Sequence, residues 1–333
     1  MALHIQSCSQ NAEYYYQEGL RKEKISDFTG ALNAYNKAVK LEPTLAKSYN
    51  NRSNVKIELN YFNGAIQDAN KAILLDSTII AAFYNRGVAK LKLEDFNGAL
   101  LDFSKAIALN PKNSDFFNNR GITKAKLQDF KGAIADFGQA LKLNPKHAKA
   151  YFNRGNAKGS LQDFNSAIVD FDAAITIESN YFDAIHSRAY AKSEKGDLKG
   201  ALADYNKLIE LKPDFADLYN YRALNAKEKM QDYLGAIEDY NRAIALDNSF
   251  AFAYNNRGQA KFKLKLYKEA ILDINKSLSI EPHNSYAFRN RALVYLEQGK
   301  QTEACKDLNM ALQLDFTNLY GNEVIELKMK NCE

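Results

Sequence analysis

The chain repeats itself every 34 residues, and this period constrains its fold more than any other feature. The nine copies include FNNRGITKAKLQDFKGAIADFGQALKLNP at 117–145 and YFNRGNAKGSLQDFNSAIVDFDAAITIES at 151–179. Repetition at a period of about 20–50 residues is typical of a solenoid, in which each unit contacts only its neighbours. We therefore expect a stack of units with a long concave face and no enclosed catalytic pocket.

Small residues and helix breakers recur at fixed positions when each unit is numbered from 1 to 34. Position 20 is alanine in all nine units, position 8 is glycine, alanine or serine, all five prolines fall at position 32, and position 16 is aspartate in five units. Small residues let two helices approach closely, proline ends a helix, and aspartate caps the start of one. Each unit is therefore predicted to be a pair of helices joined by short turns. The predicted units span 12–45, 46–79, 80–113, 114–147, 148–181, 182–215, 216–250, 251–284 and 285–318.

This spacing resembles the tetratricopeptide repeat family over residues 12–318. The spacing aromatic, small, alanine, aromatic, alanine, proline runs through the nine units, with the proline present in five of them and with tyrosine or phenylalanine where the family often has tryptophan. The resemblance implies an all-α, right-handed superhelical solenoid of antiparallel helix pairs, whose first helices line the concave face. Residues 1–11 are then an N-terminal extension, and residues 319–333 form a capping helix whose outer, polar face is exposed to solvent.

Composition narrows the function classes. Net charge is only +5, spread along the chain, which argues against nucleic acid as a partner. No apolar run approaches the ~18 residues of a membrane span, and the N-terminus does not resemble a signal peptide. The cysteines, Cys8, Cys305 and Cys332, are too few and scattered for a disulfide framework, so we expect a reducing, cytoplasmic location, with Cys305 as a small core residue.

Arginine at position 7 and aspartate at position 23 occur together in units two to nine, and both are absent from unit one. Their joint occurrence predicts a partly buried ion pair inside each repeat that fixes the angle between its helices. The alternative is that the arginines form a row that binds an acidic ligand. The predicted pairs are Arg52–Asp68, Arg86–Asp102, Arg120–Asp136, Arg154–Asp170, Arg188–Asp204, Arg222–Asp239, Arg257–Asp273 and Arg291–Asp307.

Asparagine recurs on one face of the first helices, although it is a mediocre helix former. An amide both donates and accepts hydrogen bonds, so a row of amides could hold the backbone of an extended peptide. The alternative is that the amides bond the next helix. Nearby aromatic residues could give selectivity. The predicted partner-binding residues are Asn50, Asn51, Asn54, Tyr84, Asn85, Asn118, Asn119, Phe152, Asn153, Asn156, Tyr190, Asn220, Asn255, Asn256 and Asn290.

The residues give no sign of catalysis. The four histidines are isolated, no phosphate-binding or dinucleotide motif occurs, and we expect neither a metal nor a cofactor. The sequence predicts a non-enzymatic adaptor or scaffold that binds an extended peptide or a helix of another protein in the concave groove. The alternatives are a self-assembling homo-oligomer or filament and, on weaker grounds, a binder of single-stranded RNA.

The sixth and seventh units depart from the pattern together. The asparagine row is broken at Ser187 and Tyr221, and the only extra residue of the array is placed near Gln231. We expect looser packing here and a hinge, with neutral drift as the alternative.

Overall fold

The computed structural model describes residues 2–332, with side chains from residue 11 onward, as an all-α chain. It divides into a first unit that ends at Ile177 and a second that begins at Glu178, and each is a run of antiparallel helix pairs. The predicted fold class, a solenoid of helix pairs, is therefore confirmed.

The first unit contains five helix pairs, one for each of the first five repeats. Its first helix begins before the predicted first repeat, so much of the N-terminal extension is part of that helix. The helices are α1 (Ala2–Lys24), α2 (Phe28–Leu41), α3 (Ala46–Glu58), α4 (Phe62–Leu75), α5 (Ile80–Lys92), α6 (Phe96–Leu109), α7 (Ser114–Lys126), α8 (Phe130–Leu143), α9 (Ala148–Ser160) and α10 (Phe164–Ile177).

The second unit contains four helix pairs and a C-terminal cap. Where the sequence predicts one capping helix, the structure has two short ones, α19 and α20. The helices are α11 (Phe182–Lys195), α12 (Leu198–Leu211), α13 (Ala216–Arg222), α14 (Tyr233–Leu246), α15 (Ala251–Lys263), α16 (Tyr267–Ile280), α17 (Ser285–Glu297), α18 (Gln301–Gln313), α19 (Phe316–Tyr320) and α20 (Glu323–Asn331).

In the five repeats with aspartate at position 16, that aspartate caps the second helix as predicted. The carboxylate of Asp129, for example, accepts a hydrogen bond from the backbone N–H of Gly132. A Cβ atom on Gly132 would lie 2.1 Å from that carboxylate, so glycine lets the cap close. The turn before the cap holds its position-15 residue at positive φ, as at Gln128 and Gln231.

Small residues allow the two helices of a pair to pack closely. The nine alanines at position 20 are fully buried. Position 8 faces position 24 across the pair, and a Cβ atom on Gly121 would lie 2.7 Å from the ring of Phe137. The core is therefore a continuous layer between first and second helices, and the large side chains at position 24 require a small partner.

The extra residue of the seventh repeat lies inside its first helix, not in the turn near Gln231. Residues Ala223–Lys227 form a π-helical segment between α13 and the turn, and the N–H of Glu228 donates to the carbonyl of Ala223, five residues earlier, at 2.8 Å. The turn keeps the same conformation at Gln231 as in other repeats, so the insertion is absorbed upstream. The predicted location near Gln231 was wrong because the helix takes up the extra residue as a single π-helical turn, which leaves the following turn intact.

The C-terminal cap is closed by a disulfide bond between Cys305 of α18 and Cys332, with Cα atoms 5.7 Å apart. The expectation that Cys305 is a plain core residue was wrong, because the cap folds back onto α18. Val324 and Phe316 are buried in the same cluster. The pairing also removes the cysteine-based support for a reducing compartment. Cys8 lies outside the side chains that the structure describes.

Candidate groove and its ion-pair frame

The first helices form one face of each unit. Within the first unit, α3 contacts α5, α5 contacts α7 and α7 contacts α9, and within the second unit α15 contacts α17. Direct contact between successive first helices makes theirs the shorter, inner side of the stack. Hydrogen bonds between successive first helices involve positions 2, 5, 6, 9, 12 and 13 of the repeats, and we call the face that carries these positions the groove.

Each predicted arginine–aspartate pair lies within its own repeat and is bidentate. Arg120 donates from Nε and Nη2 to the two carboxylate oxygens of Asp136 at 2.8 and 2.7 Å. The Nη2–Oδ1 distances of all eight pairs are 2.5–2.7 Å. The eight aspartates are almost completely buried. Paired hydrogen bonds of this kind fix orientation as well as position.

A lysine at position 11 forms a second ion pair with the same aspartate, a partner that sequence reasoning missed. Lys124, for example, has its Nζ atom 2.7 Å from Asp136 Oδ2. The signal was present in the sequence, because the lysine recurs one helical turn after the arginine. The seven lysines are Lys56, Lys90, Lys124, Lys158, Lys192, Lys227 and Lys261.

Most of these arginines also bond to the preceding repeat. Arg86 donates from Nη1 to the amide oxygen of Asn70 at 2.7 Å, and Arg291 does the same to Asn275 at 2.6 Å. Arg52, Arg120, Arg222 and Arg257 make the equivalent bond. The guanidinium donors are therefore used inside the protein, which argues against a row of arginines that binds an acidic ligand.

The groove asparagines bond to one another across repeats. Asn153 donates to the amide oxygen of Asn118 at 3.1 Å, and Asn290 donates to that of Asn255 at 3.1 Å. Equivalent bonds run from Asn85 to Asn50, from Asn119 to the Tyr84 hydroxyl, from Asn256 to Asn220, and from Asn51 to the Tyr16 and Tyr35 hydroxyls. These bonds match the alternative in which the amides bond the next helix, and a role in partner binding stays a prediction.

The remaining predicted binding residues differ in accessibility. Asn54 donates to Glu23 at 3.1 Å, and the ring of Phe152 packs 6.2 Å from that of Phe171. Asn156 and Tyr190 are exposed on the groove. Of the predicted set, these two are the residues that a partner reaches most easily.

A pocket of about 390 Å³ opens on the groove between α7 and α9. Its base is apolar, with Ile122, Ala125 and Phe137, and its rim carries the amides of Asn153 and Asn156. Lys126, Phe130, Ala157 and Ser160 complete the lining. The base belongs to a cluster that includes the buried Ala133 and Ala157, so a rigid core supports it.

Two lysines give this part of the groove a positive charge. Lys126 lies on the pocket rim, and Lys92 occupies the same position one repeat earlier. Both are exposed, and neither takes part in the ion pairs found among residues 11–332. An anionic group of a partner could therefore bind here without displacing an internal pair.

Among the residues described, no three histidine, cysteine or carboxylate side chains cluster as metal ligands would. No helix within residues 2–332 combines the length and the apolar character needed to cross a membrane.

Repeated helix pairs with small residues at fixed positions define the chain as a solenoid repeat protein. Comparison with known families identifies the repeat family. Two family models are described as tetratricopeptide repeat. One matches residues 80–113 and 251–284, and the other matches residues 46–79, 148–181 and 182–215. A model described as TPR repeat matches residues 123–162 and 225–265. The chain belongs to the tetratricopeptide repeat family, and none of these three models describes a catalytic domain.

The chain is similar to several solved structures, of which the first below has the same fold. The Cut9–Hcn1 hetero-tetramer of the APC/C is 14% identical with a TM-score of 0.55, covering 97% of this chain and 76% of that chain. A tetratricopeptide repeat protein from Parabacteroides merdae is 21% identical with a TM-score of 0.48, covering 86% and 99%. YrrB, described as a TPR protein with an unusual peptide-binding site, is 26% identical with a TM-score of 0.49, covering 57% and 98%. A search of curated protein sequences found no significant match.

Proposed function

We propose that the chain is a non-enzymatic adaptor or scaffold that binds an extended segment of a partner protein in the groove of its first unit. The observation that carries this proposal is the apolar pocket between α7 and α9, with amides and lysines on its rim. A volume of 390 Å³ falls in the range of roughly 300–1,000 Å³ that ligand pockets occupy. The family's fold supports a protein-binding scaffold, and the pocket gives that scaffold a place to bind.

The lining indicates the chemistry of the partner segment. An apolar side chain of the partner would fill the base at Ile122 and Ala125, where its burial contributes about 1.5–3 kcal/mol. An acidic residue next to it would lie near Lys126. Exposed Asn156 offers both a donor and an acceptor to the partner backbone. Asn153 uses one N–H on Asn118, so its carbonyl oxygen is the group it offers to a peptide N–H.

The hydrogen bonds between repeats decide which variants can test a role of the asparagine row in binding. Asn85 and Asn119 donate to the neighbouring repeat, so alanine at either position would weaken packing as well as any binding. Asn156 is exposed on the pocket rim, and its replacement leaves those internal bonds intact. Asn156→Ala is therefore the cleaner test of an amide that contacts a partner.

The experiment starts from a random peptide library displayed on phage and selected on the full chain. We expect the enriched peptides to carry an acidic residue beside a large apolar one. For a synthetic peptide from that set, fluorescence anisotropy should show that Lys126→Glu weakens binding by at least about tenfold, which is about 1.4 kcal/mol. Asn156→Ala should weaken it by a smaller factor.

The matched control is Lys131→Glu, which makes the same charge change on α8, outside the pocket lining, at another exposed lysine. Its affinity should stay within about twofold of the wild type, well under 1 kcal/mol. Enriched peptides without acidic residues, or equal losses in Lys126→Glu and Lys131→Glu, would place the binding site elsewhere.

Self-assembly is a second candidate, and one observation favours it. Leu101, Val169 and Leu272 all occupy position 22 of their repeats, on second helices, and are 66–72% exposed. Light scattering of the wild type and of Leu101→Ser with Val169→Ser would separate the two functions. A monomer at every concentration removes this candidate.

A further inference from the structure

Four aromatic side chains meet on the groove of the sixth and seventh repeats, where the asparagine row is broken. His186 and Tyr190 lie on α11, Tyr205 on α12 and Tyr221 on α13, and we call these four residues the aromatic cluster. The ring of His186 is 5.0 Å from that of Tyr221 and 6.1 Å from that of Tyr205. Both Tyr221 and Tyr190 are near enough to Tyr205 to add to burial in raising the pKa of its hydroxyl.

The π-helical segment Ala223–Lys227 holds this cluster in place. Its extra residue brings Asn225 against the sixth repeat, where the Asn225 amide donates to the Tyr205 hydroxyl at 3.1 Å. The carbonyl of Asn225 accepts a hydrogen bond from the Ser193 hydroxyl at 2.5 Å. Single-turn π-helical insertions occur often at functional sites, because they re-aim side chains within an otherwise regular helix.

The cluster is partly open to solvent. Tyr205 is fully buried and forms the floor, whereas Tyr190 is 47% exposed and Tyr221 and His186 are partly exposed. The Nε2 atom of His186 is buried, and none of the described side chains offers it a hydrogen-bond partner.

Two carboxylates give the cluster a negative field. Asp183 lies in the first turn of α11 and Asp217 in the first turn of α13. Neither takes part in the ion pairs found among residues 11–332. Burial lowers the pKa of His186 and the charge of Asp183 opposes that effect; burial raises the pKa of Tyr221 and Asp217 adds to it. The aromatic faces therefore lie in a region that favours a cation.

We propose that the aromatic cluster binds an arginine side chain of a partner protein, with the guanidinium stacked on Tyr190 and Tyr221 and its N–H groups directed to Asp183 or Asp217. A guanidinium is planar, stacks on aromatic faces and matches a carboxylate with two parallel hydrogen bonds. A lysine ammonium lacks that plane and is more strongly hydrated, so it fits this surface less well. The proposal deepens the proposed function by giving the second unit a contact of its own.

The probe is the blocked tripeptide acetyl-Gly-Arg-Gly-amide, compared with the same peptide carrying citrulline, which keeps the shape and removes the charge. Titration into isotopically labelled full-length chain should shift the backbone amide signals of residues 183–190 and 216–228 in a saturable way. We expect citrulline to bind at least about tenfold more weakly. Equal shifts from the two peptides, or shifts confined to other residues, would overturn the proposal.

Variants separate the rings from the fold. Tyr190→Ala with Tyr221→Ala should abolish the shifts, whereas Tyr190→Phe with Tyr221→Phe should keep them, because a phenylalanine ring still stacks. Tyr61→Ala, which removes an exposed ring of the first unit, is the matched control and should change nothing. If the double alanine variant loses its native spectrum, Asp183→Asn with Asp217→Asn carries the test, and retained arginine binding in that variant overturns the proposal.

Lys126→Glu distinguishes this proposal from the pocket of the first unit. This variant should weaken binding of the library peptide and leave the amide shifts caused by the arginine tripeptide unchanged. If the arginine peptide does not bind, the measured effect of Lys126→Glu on the library peptide is unaffected. If Lys126→Glu does not weaken the library peptide, the measured binding of the arginine peptide is likewise unaffected.

Discussion

Repeats four and five leave a pocket open on the groove, whereas repeats six and seven place aromatic rings at the equivalent positions. Position 9 is Ile122 in one region and Tyr190 in the other, and position 6 of the following repeat is Asn153 or Tyr221. Beneath them the ion-pair frame is the same. Arg154 and Arg222 each form a bidentate pair, although the π-helical segment separates Arg222 from Asp239 by 17 residues instead of 16. The frame fixes the helices, so the groove positions are free to differ in chemistry.

The largest effect should come from breaking the frame, and the part due to the ion pair should be equal in both regions. Arg154→Ala and Arg222→Ala each leave a buried aspartate without its bidentate partner, which costs about 3–5 kcal/mol. We expect each melting temperature to fall by a similar amount. Lys126→Ala is the control, because Lys126 is exposed and outside the ion pairs, whereas the nearby Lys124 is bonded to Asp136. A much smaller fall for Arg222→Ala would show that the frame is weaker at the π-helical segment.

A smaller effect should come from the packing beneath the pocket. Gly121→Ala would place a Cβ atom 2.7 Å from Phe137, and overpacking of this kind costs about 1–3 kcal/mol. The control is Gly159→Ala, since nothing lies within 4 Å of the added atom. That change should stabilise the helix by about 0.5–1 kcal/mol. Urea unfolding of both variants measures the difference, and a neutral Gly121→Ala would contradict the close packing.

Removal of the Asn225 side chain should loosen repeats six and seven. Asn225→Ala breaks the hydrogen bond to Tyr205, a loss of about 1 kcal/mol. Amides of residues 216–228 should then exchange with solvent faster than in the wild type. The counterpart Asn156→Ala, on an exposed rim, should leave exchange in α9 unchanged. In the unaltered chain, faster exchange in residues 216–228 than in α9 would support a hinge here, and equal protection would exclude it.

The smallest effect concerns pH. Burial lowers the pKa of His186 below its ordinary value of 6.5, so the unfolded chain binds this proton more tightly than the folded one. The associated stability is present above the unfolded pKa and is lost as pH falls below about 6.5. His186→Asn places the residue found at the same position of the fourth repeat, Asn118. Its melting temperature should therefore fall less than that of the wild type between about pH 7.5 and 5.5. Exposed His283→Asn is the control, and identical pH profiles for wild type and His186→Asn would disprove the effect.

Local patterns predicted the frame, and long-range folding decided the rest. The joint occurrence of arginine and aspartate indicated pairs because both residues lie in one repeat. The position of the extra residue could also have been predicted. Gln231–Asp232 matches Gln128–Asp129 and so belongs to an intact turn, which places the extra residue in the helix before it. The disulfide at Cys305 was not readable, because it depends on how the C-terminal cap folds back. The pocket was not readable either, because it depends on which side chains are too short to fill the space.

The bond that most of the eight arginines make to the repeat before them has a consequence for how such chains change length. If residues 80–113 were spliced out, Arg120 would follow the second repeat and face Asn70, the same amide that now bonds Arg86. The new junction would carry the same pair of side chains as the one it replaced. A gene for this array could therefore lose or gain a whole unit and still encode matched seams, while any cut out of phase with 34 residues would leave arginines facing the wrong neighbour.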